Sequence, residues 1–243
     1  MELTNKHVVV IGGGTGIGAG IARHLAEAGA KVTVGGRRPQ PLQSFAESVD
    51  SPHPIRTQAI DVADDSSIRQ FFDDHRDAVG DVDILVNSAG INIASRTMTE
   101  MTADQWDKVL RINATGSHRC IAEVLPAMRR RRDGLIVQIS SIAGKRALTL
   151  GGVVYCASKF AMTALGTAVS NEVRHEGVRV TNVYPGEVDT PLLEQRPEPV
   201  SRERRQAMLQ PEDVAAMVVA ICRLPARAHV PEIVIKPTVQ EWV

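Results

Sequence analysis

The sequence has no excess of either charge, few aromatic residues and no cysteine pattern, and each absence excludes a class of function. Its 243 residues contain 28 Lys and Arg against 28 Asp and Glu, so neither nucleic acid nor an anionic membrane is an expected partner. Aromatic residues make up 3% of the chain, which is too little for a base-stacking platform. Cys120, Cys156 and Cys222 are odd in number and far apart, which indicates ordinary thiols in a reducing compartment.

Signals for membrane insertion, secretion and metal binding are also missing. No apolar run approaches the roughly 20 residues that a membrane helix needs, and the polar segment Met1–Lys6 does not have the form of a signal peptide. The seven histidines show no ligand spacing, so we expect no catalytic metal. The basic run Arg129–Arg132 precedes Asp133 and Gly134, and we interpret it as the solvated end of a helix. These features predict a cytoplasmic protein.

Short apolar runs alternate with helical patterns along the whole chain. His7–Ile11 is such a run, and it is followed by Gly16–Ala28, in which Ile17, Ile21 and Leu25 recur at helical spacing. This alternation predicts parallel strand pairing, because only a long crossover returns a strand in the same direction. We therefore predict an α/β fold with one doubly wound parallel sheet of about seven strands over residues 1–243. The other strand candidates are Lys31–Gly35, Ile55–Ile60, Ile84–Asn87, Leu135–Ser140, Val178–Tyr184 and Ile233–Ile235.

Three longer helices are predicted in the second half of the chain. Thr102 and Gln105 have the spacing of a capping box, which predicts the start of a long helix over Thr102–Arg132. The second is expected over Ser158–Glu176, in a helical pattern that starts at Val154. The third is expected over Asp213–Arg223 and ends before a proline.

A glycine-rich turn follows the first strand candidate and opens the first helix. Gly12, Gly16 and Gly18 stand at the spacing Gly-x3-Gly-x-Gly. Glycine permits positive φ and a close approach of the backbone to a ligand, and the free N–H groups at a helix start favour a pyrophosphate. The strand–turn–helix context predicts a dinucleotide site. A flexible turn without a ligand is the alternative.

The end of the second strand candidate bears on the choice of cofactor. An acidic residue near this point binds the ribose 2′-hydroxyl in NAD-specific folds, but this sequence has Gly36 there, followed by Arg37 and Arg38. Guanidinium groups are suited to a 2′-phosphate, so we predict NADP ahead of NAD. The alternative is that both arginines are solvated charges at a helix start.

A tyrosine, a lysine and a serine are the candidates for acid–base chemistry. Tyr155 and Lys159 are four residues apart and therefore share a helix face. An ammonium group beside a phenol, together with a cofactor's charge, can lower the phenol pKa from about 10 toward the operating pH. Ser140 and Ser141 close an apolar strand, at the sheet edge where ligands bind in α/β folds. Taken alone, the Tyr155 and Lys159 pair is more typical of packing and solvation on a helix. The two serines alone are typical of a helix cap or a turn.

Taken together, the motifs resemble the short-chain dehydrogenase/reductase family over essentially the whole chain. The sequence departs from the family at Ile11, which stands for a threonine, at Ser88, which stands for an asparagine, and in a loop after Ser141 that is one residue longer than usual. The Ser-x-Ala-Gly context nevertheless selects Ser141 over Ser140. The matching segments are Gly12-x3-Gly16-x-Gly18, Asp61-Val62, Asn87-Ser88-Ala89-Gly90, Asn113, Ser141, Tyr155-x3-Lys159 and Pro185-Gly186-x3-Thr190.

The resemblance implies a Rossmann-like fold and an NADP-dependent oxidoreductase that interconverts an alcohol and a carbonyl. The implied catalytic set is Asn113, Ser141, Tyr155 and Lys159, in which Tyr155 exchanges the proton, Lys159 lowers its pKa and Ser141 polarises the carbonyl. Asn113 is implied to interrupt its helix and hold a water that links Lys159 to solvent. The implied cofactor contacts are Gly12, Gly14, Thr15, Gly16, Ile17, Gly18, Arg37, Arg38, Asp61, Val62, Asn87, Ala89, Gly90, Tyr155, Lys159, Pro185, Gly186, Val188 and Thr190.

The resemblance also implies a small-molecule carbonyl or alcohol substrate and a homo-oligomer, a tetramer or a dimer, with long helices at its interface. The tail Glu232–Thr238 is similar to that of members acting on hydroxy acids, serine-like substrates or small aldehydes. A substrate-covering loop is expected at about 187–210. Its arginines suggest an anionic substrate, with pairing to loop glutamates as the alternative; these residues are Arg196, Arg202, Arg204, Arg205, Glu194, Glu198 and Glu203.

Two other functions remain open from the sequence. One is an NAD-dependent alcohol dehydrogenase of the same family. The other is a dinucleotide-sensing protein that keeps the fold without catalysis, against which the complete set of Asn113, Ser141, Tyr155 and Lys159 argues.

Overall fold

Seven strands form one parallel sheet in the order β3-β2-β1-β4-β5-β6-β7. The structure is a computed structural model, and it describes residues 3–241. The predicted α/β fold with a doubly wound parallel sheet is therefore confirmed. The strands are β1 His7–Ile11, β2 Lys31–Gly36, β3 Arg56–Ala59, β4 Ile84–Asn87, β5 Gly134–Ile139, β6 Val178–Pro185 and β7 Glu232–Ile235.

Helices cover both faces of this sheet, and each face has its own apolar core. Val8 and Val10 of β1 belong to one core and Val9 and Ile11 to the other, because side chains alternate between the faces of a strand. This two-sided burial explains why β1 is an unbroken apolar run. The helices are α1 Gly16–Glu27, α2 Pro39–Glu47, α3 Asp65–Val79, α4 Ala103–Leu110, α5 Gly116–Arg131, α6 Val153–Val173, α7 Arg202–Gln206 and α8 Pro211–Cys222.

The strand order places a crevice at the carboxyl ends of β1 and β4. From β1 the chain proceeds outward through β2 to β3, and then returns to pair β4 on the other side of β1. Ligands in open α/β sheets bind where the order reverses in this way. The glycine turn lies after β1 and Asn87 ends β4, so two of the predicted motifs meet at this switch point.

The predicted helix over Thr102–Arg132 is interrupted in the structure. The capping box at Thr102 is present, with Thr102 accepting from the Gln105 N–H and Gln105 accepting from the Thr102 N–H. A π-helical turn over Arg111–Thr115 then separates α4 from α5. This turn accommodates one extra residue around Asn113 without breaking the apolar stripe, so the sequence pattern alone reads as one continuous helix.

Other element ends also differ from the prediction. Helix α6 begins at Val153, next to the predicted start of the helical pattern at Val154, and ends at Val173, three residues before the expected Glu176. Strand β3 is shorter than Ile55–Ile60, because Ile60 lies beyond the residues that pair with β2. The arginine run ends α5 as expected: Arg129 pairs with Glu172 at 3.0 Å and Arg131 with Asp81 at 2.9 Å.

Helix α6 is unusually apolar for a helix that is only partly covered. By length and composition it could cross a membrane, and 33% of its most apolar window is buried inside the structure. Its apolar residues pack in part on β6 and on the 3-10 turn Ile142–Gly144. Core helices pass the same length and composition test, so this finding is weak evidence for a membrane span.

Candidate active site

The glycine turn is a compact backbone cradle after β1. The Gly12 N–H donates to the Gly35 carbonyl oxygen at 2.7 Å, which ties the turn to β2. Gly12 has φ +79°, and a Cβ placed there would lie 2.7 Å from the Ala89 nitrogen. No side chain fits between these two backbone segments. Because the glycines of the turn have no side chains, they also leave the space in front of the start of α1 open for a ligand.

Gly18 packs against the cradle from within α1, and we expect Gly18→Ala to destabilise the protein by about 1–3 kcal/mol. The added Cβ would overlap the Gly12 carbonyl oxygen, which is backbone and cannot rotate away. This overlap outweighs the gain of about 1 kcal/mol in helix propensity from alanine. Urea unfolding of the protein without added cofactor measures the change.

Gly14→Ala is the matched control in the same turn. Its Cβ would lie 3.0 Å from Leu42 Cδ2, the end of a flexible side chain, so unfolding should change by less than about 1 kcal/mol. Equal losses in the two variants would contradict the close approach of Gly18 and Gly12.

The main cleft lies along the switch point and has a volume of about 310 Å³. Most predicted cofactor contacts line it: Gly12, Gly14, Thr15, Gly16, Ile17, Arg37, Arg38, Asp61, Val62, Ala89, Gly90, Tyr155, Lys159 and Thr190. The backbone cradle at one end and the cations at β2 suit the phosphates of a dinucleotide. The residues present therefore fit a nicotinamide dinucleotide.

Several predicted contacts lie elsewhere. Gly18 and Asn87 are buried behind the cleft wall, where the Asn87 side chain donates to Gln138 Oε1 at 2.7 Å. Pro185, Gly186 and Val188 line a second, adjoining cavity instead. Apolar residues of the cleft wall carry no signal in the sequence, because ordinary core positions are apolar too. These residues are Pro41, Leu42, Ile60, Ile91, Ile112, Ile139 and Leu192.

Tyr155 lines both cavities and so stands at their junction. Desolvation raises the pKa of its phenol, while a hydrogen bond with Ser141 and the positive charge of Arg96 act to lower that pKa. The residues of the chain alone therefore hold the phenol protonated at neutral pH. The lowering that we expect from Lys159 and a cofactor's charge stays a prediction.

Lys159 is buried one helical turn from Tyr155. Its Nζ lies 5.7 Å from the centre of the Tyr155 ring and donates to the Ile139 carbonyl oxygen at 2.8 Å. Burial lowers the pKa of Lys159 to about 7, because a charged group is costly away from water. The ammonium can thus change its charge near neutral pH.

The two serines after β5 point to different places. The Ser140 hydroxyl donates to the Lys159 carbonyl oxygen at 3.1 Å and is held inside the protein. Ser141 Oγ accepts from the Ala143 N–H at 3.1 Å and hydrogen-bonds Tyr155. Ser141 therefore lies beside Tyr155 in the second cavity. That Ser141 meets the substrate stays a prediction.

Asn113 is fully buried in the π-helical turn and bonds both neighbouring segments. Its Oδ1 accepts from the Ile91 N–H at 2.8 Å, and its Nδ2 donates to the Ile91 carbonyl and to Ser158 Oγ, both at 2.9 Å. These bonds join the loop after β4 to α6. The water that the family resemblance implies beside Asn113 stays a prediction.

The segment after β6 forms one wall of the second cavity, and three of its four arginines form ion pairs with residues that the structure describes. Glu187 Oε1 accepts from Arg196 at 2.7 Å and from Arg204 at 2.9 Å, and Asp189 accepts from Arg205 at 2.9 Å. Loop arginines do pair with carboxylates, as one alternative expected, but the partners are Glu187 and Asp189.

Comparison with known proteins agrees with this geometry. The family model described as short chain dehydrogenase matches residues 6–200. An uncharacterized oxidoreductase of Staphylococcus saprophyticus is 32% identical over 239 residues, which cover 98% of this chain and 99% of that protein. An uncharacterized oxidoreductase of Staphylococcus aureus is 32% identical over 235 residues, with 97% and 98% covered.

Solved structures share the same fold. The closed form of a serine dehydrogenase complexed with NADP+ superposes with a TM-score of 0.89 at 26% identity, covering 97% of this chain and 96% of that one. An alcohol dehydrogenase from the archaeon Thermococcus sibiricus, complexed with 5-hydroxy-NADP, gives 0.88 at 25% identity, with 98% and 99% covered.

The chain belongs to the short-chain dehydrogenase family. It is an NAD(P)-dependent oxidoreductase with a Rossmann-like fold, and its general chemistry is the interconversion of alcohols and carbonyls.

Proposed function

We propose that this protein is an NADP-dependent oxidoreductase in which Tyr155 is the general acid and base. The observation that carries the proposal is the position of Tyr155 at the junction of two cavities, one suited to a dinucleotide and one smaller. A reaction between a cofactor and a small carbonyl or alcohol requires its proton-transfer group at such a junction. A turnover assay with NADPH and a panel of aldehydes, ketones and hydroxy acids tests this.

The proposed roles divide the chemistry among four side chains. The nicotinamide group supplies or accepts the hydride when it is bound. Tyr155 donates a proton to the carbonyl oxygen in reduction and removes it in oxidation. Ser141 donates a hydrogen bond that orients the carbonyl. Lys159 holds positive charge beside the phenol, and Asn113 fixes the loop after β4 against α6.

Arg37 and Arg38 support NADP over NAD. Both line the main cleft where β2 ends, and Gly36 beside them offers no carboxylate for a ribose hydroxyl. The neighbouring structures that contain NADP-type cofactors agree with this choice. The NAD-dependent alternative predicts the reverse order of affinities.

The double variant Arg37→Gln/Arg38→Gln should raise the Kd for NADPH at least tenfold and leave the Kd for NADH within threefold. Two charge-assisted bonds to a phosphate are lost, whereas NADH has no phosphate there. Fluorescence titration with both cofactors measures the change. Arg130→Gln, on the exposed end of α5, controls for loss of positive charge. NADH binding tenfold tighter than NADPH in the parent protein would overturn the cofactor assignment.

We also propose that the protein is a single domain spanning 1–243, in which residues 187–210 form the segment that covers the substrate.

A further proposal is that the protein is a cytoplasmic homo-oligomer. Support for assembly comes from the apolar helix α6, on which the large apolar side chain of Phe160 is 42% exposed. A solvated apolar face of this kind favours self-association. Light scattering distinguishes a tetramer or dimer from a monomer.

A further inference from the structure

Arg96 is a cation in the wall of the second cavity that no carboxylate balances. It lines this cavity together with Ser141 and Tyr155. Its guanidinium bonds three backbone carbonyls: that of Ile93 at 3.1 Å, that of Leu150, and that of Gln195 at 3.1 Å. Within residues 3–241, no Asp or Glu forms an ion pair with Arg96 at 4.0 Å or less.

The guanidinium keeps donors for a ligand after these bonds. Arginine has five N–H donors, and the three carbonyls take three of them. The bonds also hold the group rigidly, because they join the loop after β4, the loop before α6 and the segment after β6. A fixed guanidinium with two remaining donors is the arrangement that binds a carboxylate without a further loss of side-chain entropy.

The rest of the cavity adds to the positive field. Arg196 also lines it, and its only ion-pair partner among the described residues is Glu187. Glu187 is in turn shared with Arg204. Glu187 lines the cavity as well, so the lining contains two guanidinium groups and one carboxylate. Burial first, and then the positive charge of Arg196, lowers the pKa of Arg96.

We propose that the second cavity selects small substrates that carry a carboxylate, and that Arg96 is the residue that determines this specificity. The proposal rests on the proposed function, since it takes the second cavity as the substrate site. The volume of about 130 Å³ is below the range of about 300–1,000 Å³ of drug-sized ligand sites, so the substrate is a short-chain compound. Oxo acids and hydroxy acids of three to five carbons have this chemistry.

The test compares an acid with its neutral isostere. Kinetics with NADPH use three- to five-carbon oxo acids and the corresponding oxo amides. The parent protein should show a kcat/KM at least tenfold higher for the acid. Arg96→Met should reduce this ratio at least tenfold, because the loss of the three loop bonds and of the charge beside Tyr155 affects both substrates, whereas the loss of a carboxylate partner affects only the acid. Glu187→Gln removes a negative charge from the cavity wall and should raise the ratio of kcat/KM for the acid to that for the amide.

A binding measurement keeps the proposal testable if turnover is absent. Oxamate is a carboxylate that is not reduced, and ethyl oxamate is its neutral ester. Oxamate should raise the Tm of the NADP-saturated parent protein but not that of Arg96→Met, and ethyl oxamate should raise neither. Binding of oxamate without turnover of any carbonyl would overturn the proposed function and leave the anion site intact.

Two results would overturn the anion site itself. One is an acid-to-amide ratio near one, together with no effect of oxamate, in the parent protein. The other is an equal fall for acid and amide in Arg96→Met, which is the result expected if Arg96 only holds the three loops together.

Discussion

Tyr155→Phe should lower kcat at least a hundredfold for both oxidation and reduction. The substitution removes the phenolic oxygen and leaves the ring, and a positioned general acid or base contributes a factor of about 10²–10⁴. Because the ring stays packed at the start of α6, the Kd for NADPH should change by less than threefold. Stopped-flow measurement of nicotinamide absorbance, with fluorescence titration of NADPH, measures both quantities.

The pH dependence gives an independent check on the same group. Desolvation raises the pKa of Tyr155 above its usual value of 10.0, so its protonated form is the stable one at neutral pH. Reduction, which needs the acid, should therefore persist at low pH, whereas oxidation, which needs the base, should rise as pH increases. Phe45→Tyr adds a phenol in the apolar core beside α1, remote from Ser141. It is the control for effects of a phenol elsewhere in the protein on the pH dependence of turnover. Unchanged turnover in Tyr155→Phe would remove the proton-transfer role from Tyr155.

The free energy of unfolding should fall by about 3 kcal/mol between pH 6.5 and pH 4 because of His75. This side chain is 1% exposed on the buried face of α3, and neither ring nitrogen has a hydrogen-bond partner among the described residues. Burial first, and then the charges of His7, Arg56 and Arg76, lowers its pKa from 6.5 to about 4. Each unit of this shift corresponds to about 1.4 kcal/mol.

The sign follows from proton binding. Between pH 6.5 and 4 the unfolded chain binds a proton at His75 and the folded chain does not, so falling pH favours unfolding. Above pH 6.5 both states are neutral and this contribution is constant. Urea unfolding at half-unit steps of pH measures the slope.

His75→Leu isolates the contribution of this one group. The variant keeps an apolar side chain of similar size at the same position, and carboxylates that titrate below pH 5 are common to both proteins. The difference in unfolding free energy between parent and variant should therefore change by about 3 kcal/mol over this range. A difference that does not depend on pH would show that His75 is protonated without penalty in the folded protein.

The strands and the glycine turn could be predicted because their signals are local. A strand that is buried on both faces must be apolar throughout, as in Val8, Val9 and Val10, and a turn that approaches another backbone must contain glycine, as at Gly12. Strand β3 was less well placed, because it lies at the edge of the sheet and its residues are partly exposed. Local apolarity therefore carries less information there.

Other features could not be predicted from local pattern. The π-helical turn around Asn113 leaves the helical periodicity almost unchanged. Helix α6 ends at Val173, three residues before the expected Glu176. Arg96 carries no sequence signal at all, since its partners at Leu150 and Gln195 are distant in sequence.

The sequence by itself determined the class of fold, the family and the order of the motifs, because these follow from residue type and spacing. Only the tertiary structure decided which groups share a cavity. It turned Ser141 toward Tyr155 and Ser140 inward, moved Pro185 and Gly186 to the second cavity, and gave Arg96 no ion-pair partner among residues 3–241. The physical reason is that direction and charge balance depend on contacts between distant segments, which spacing along the chain does not specify.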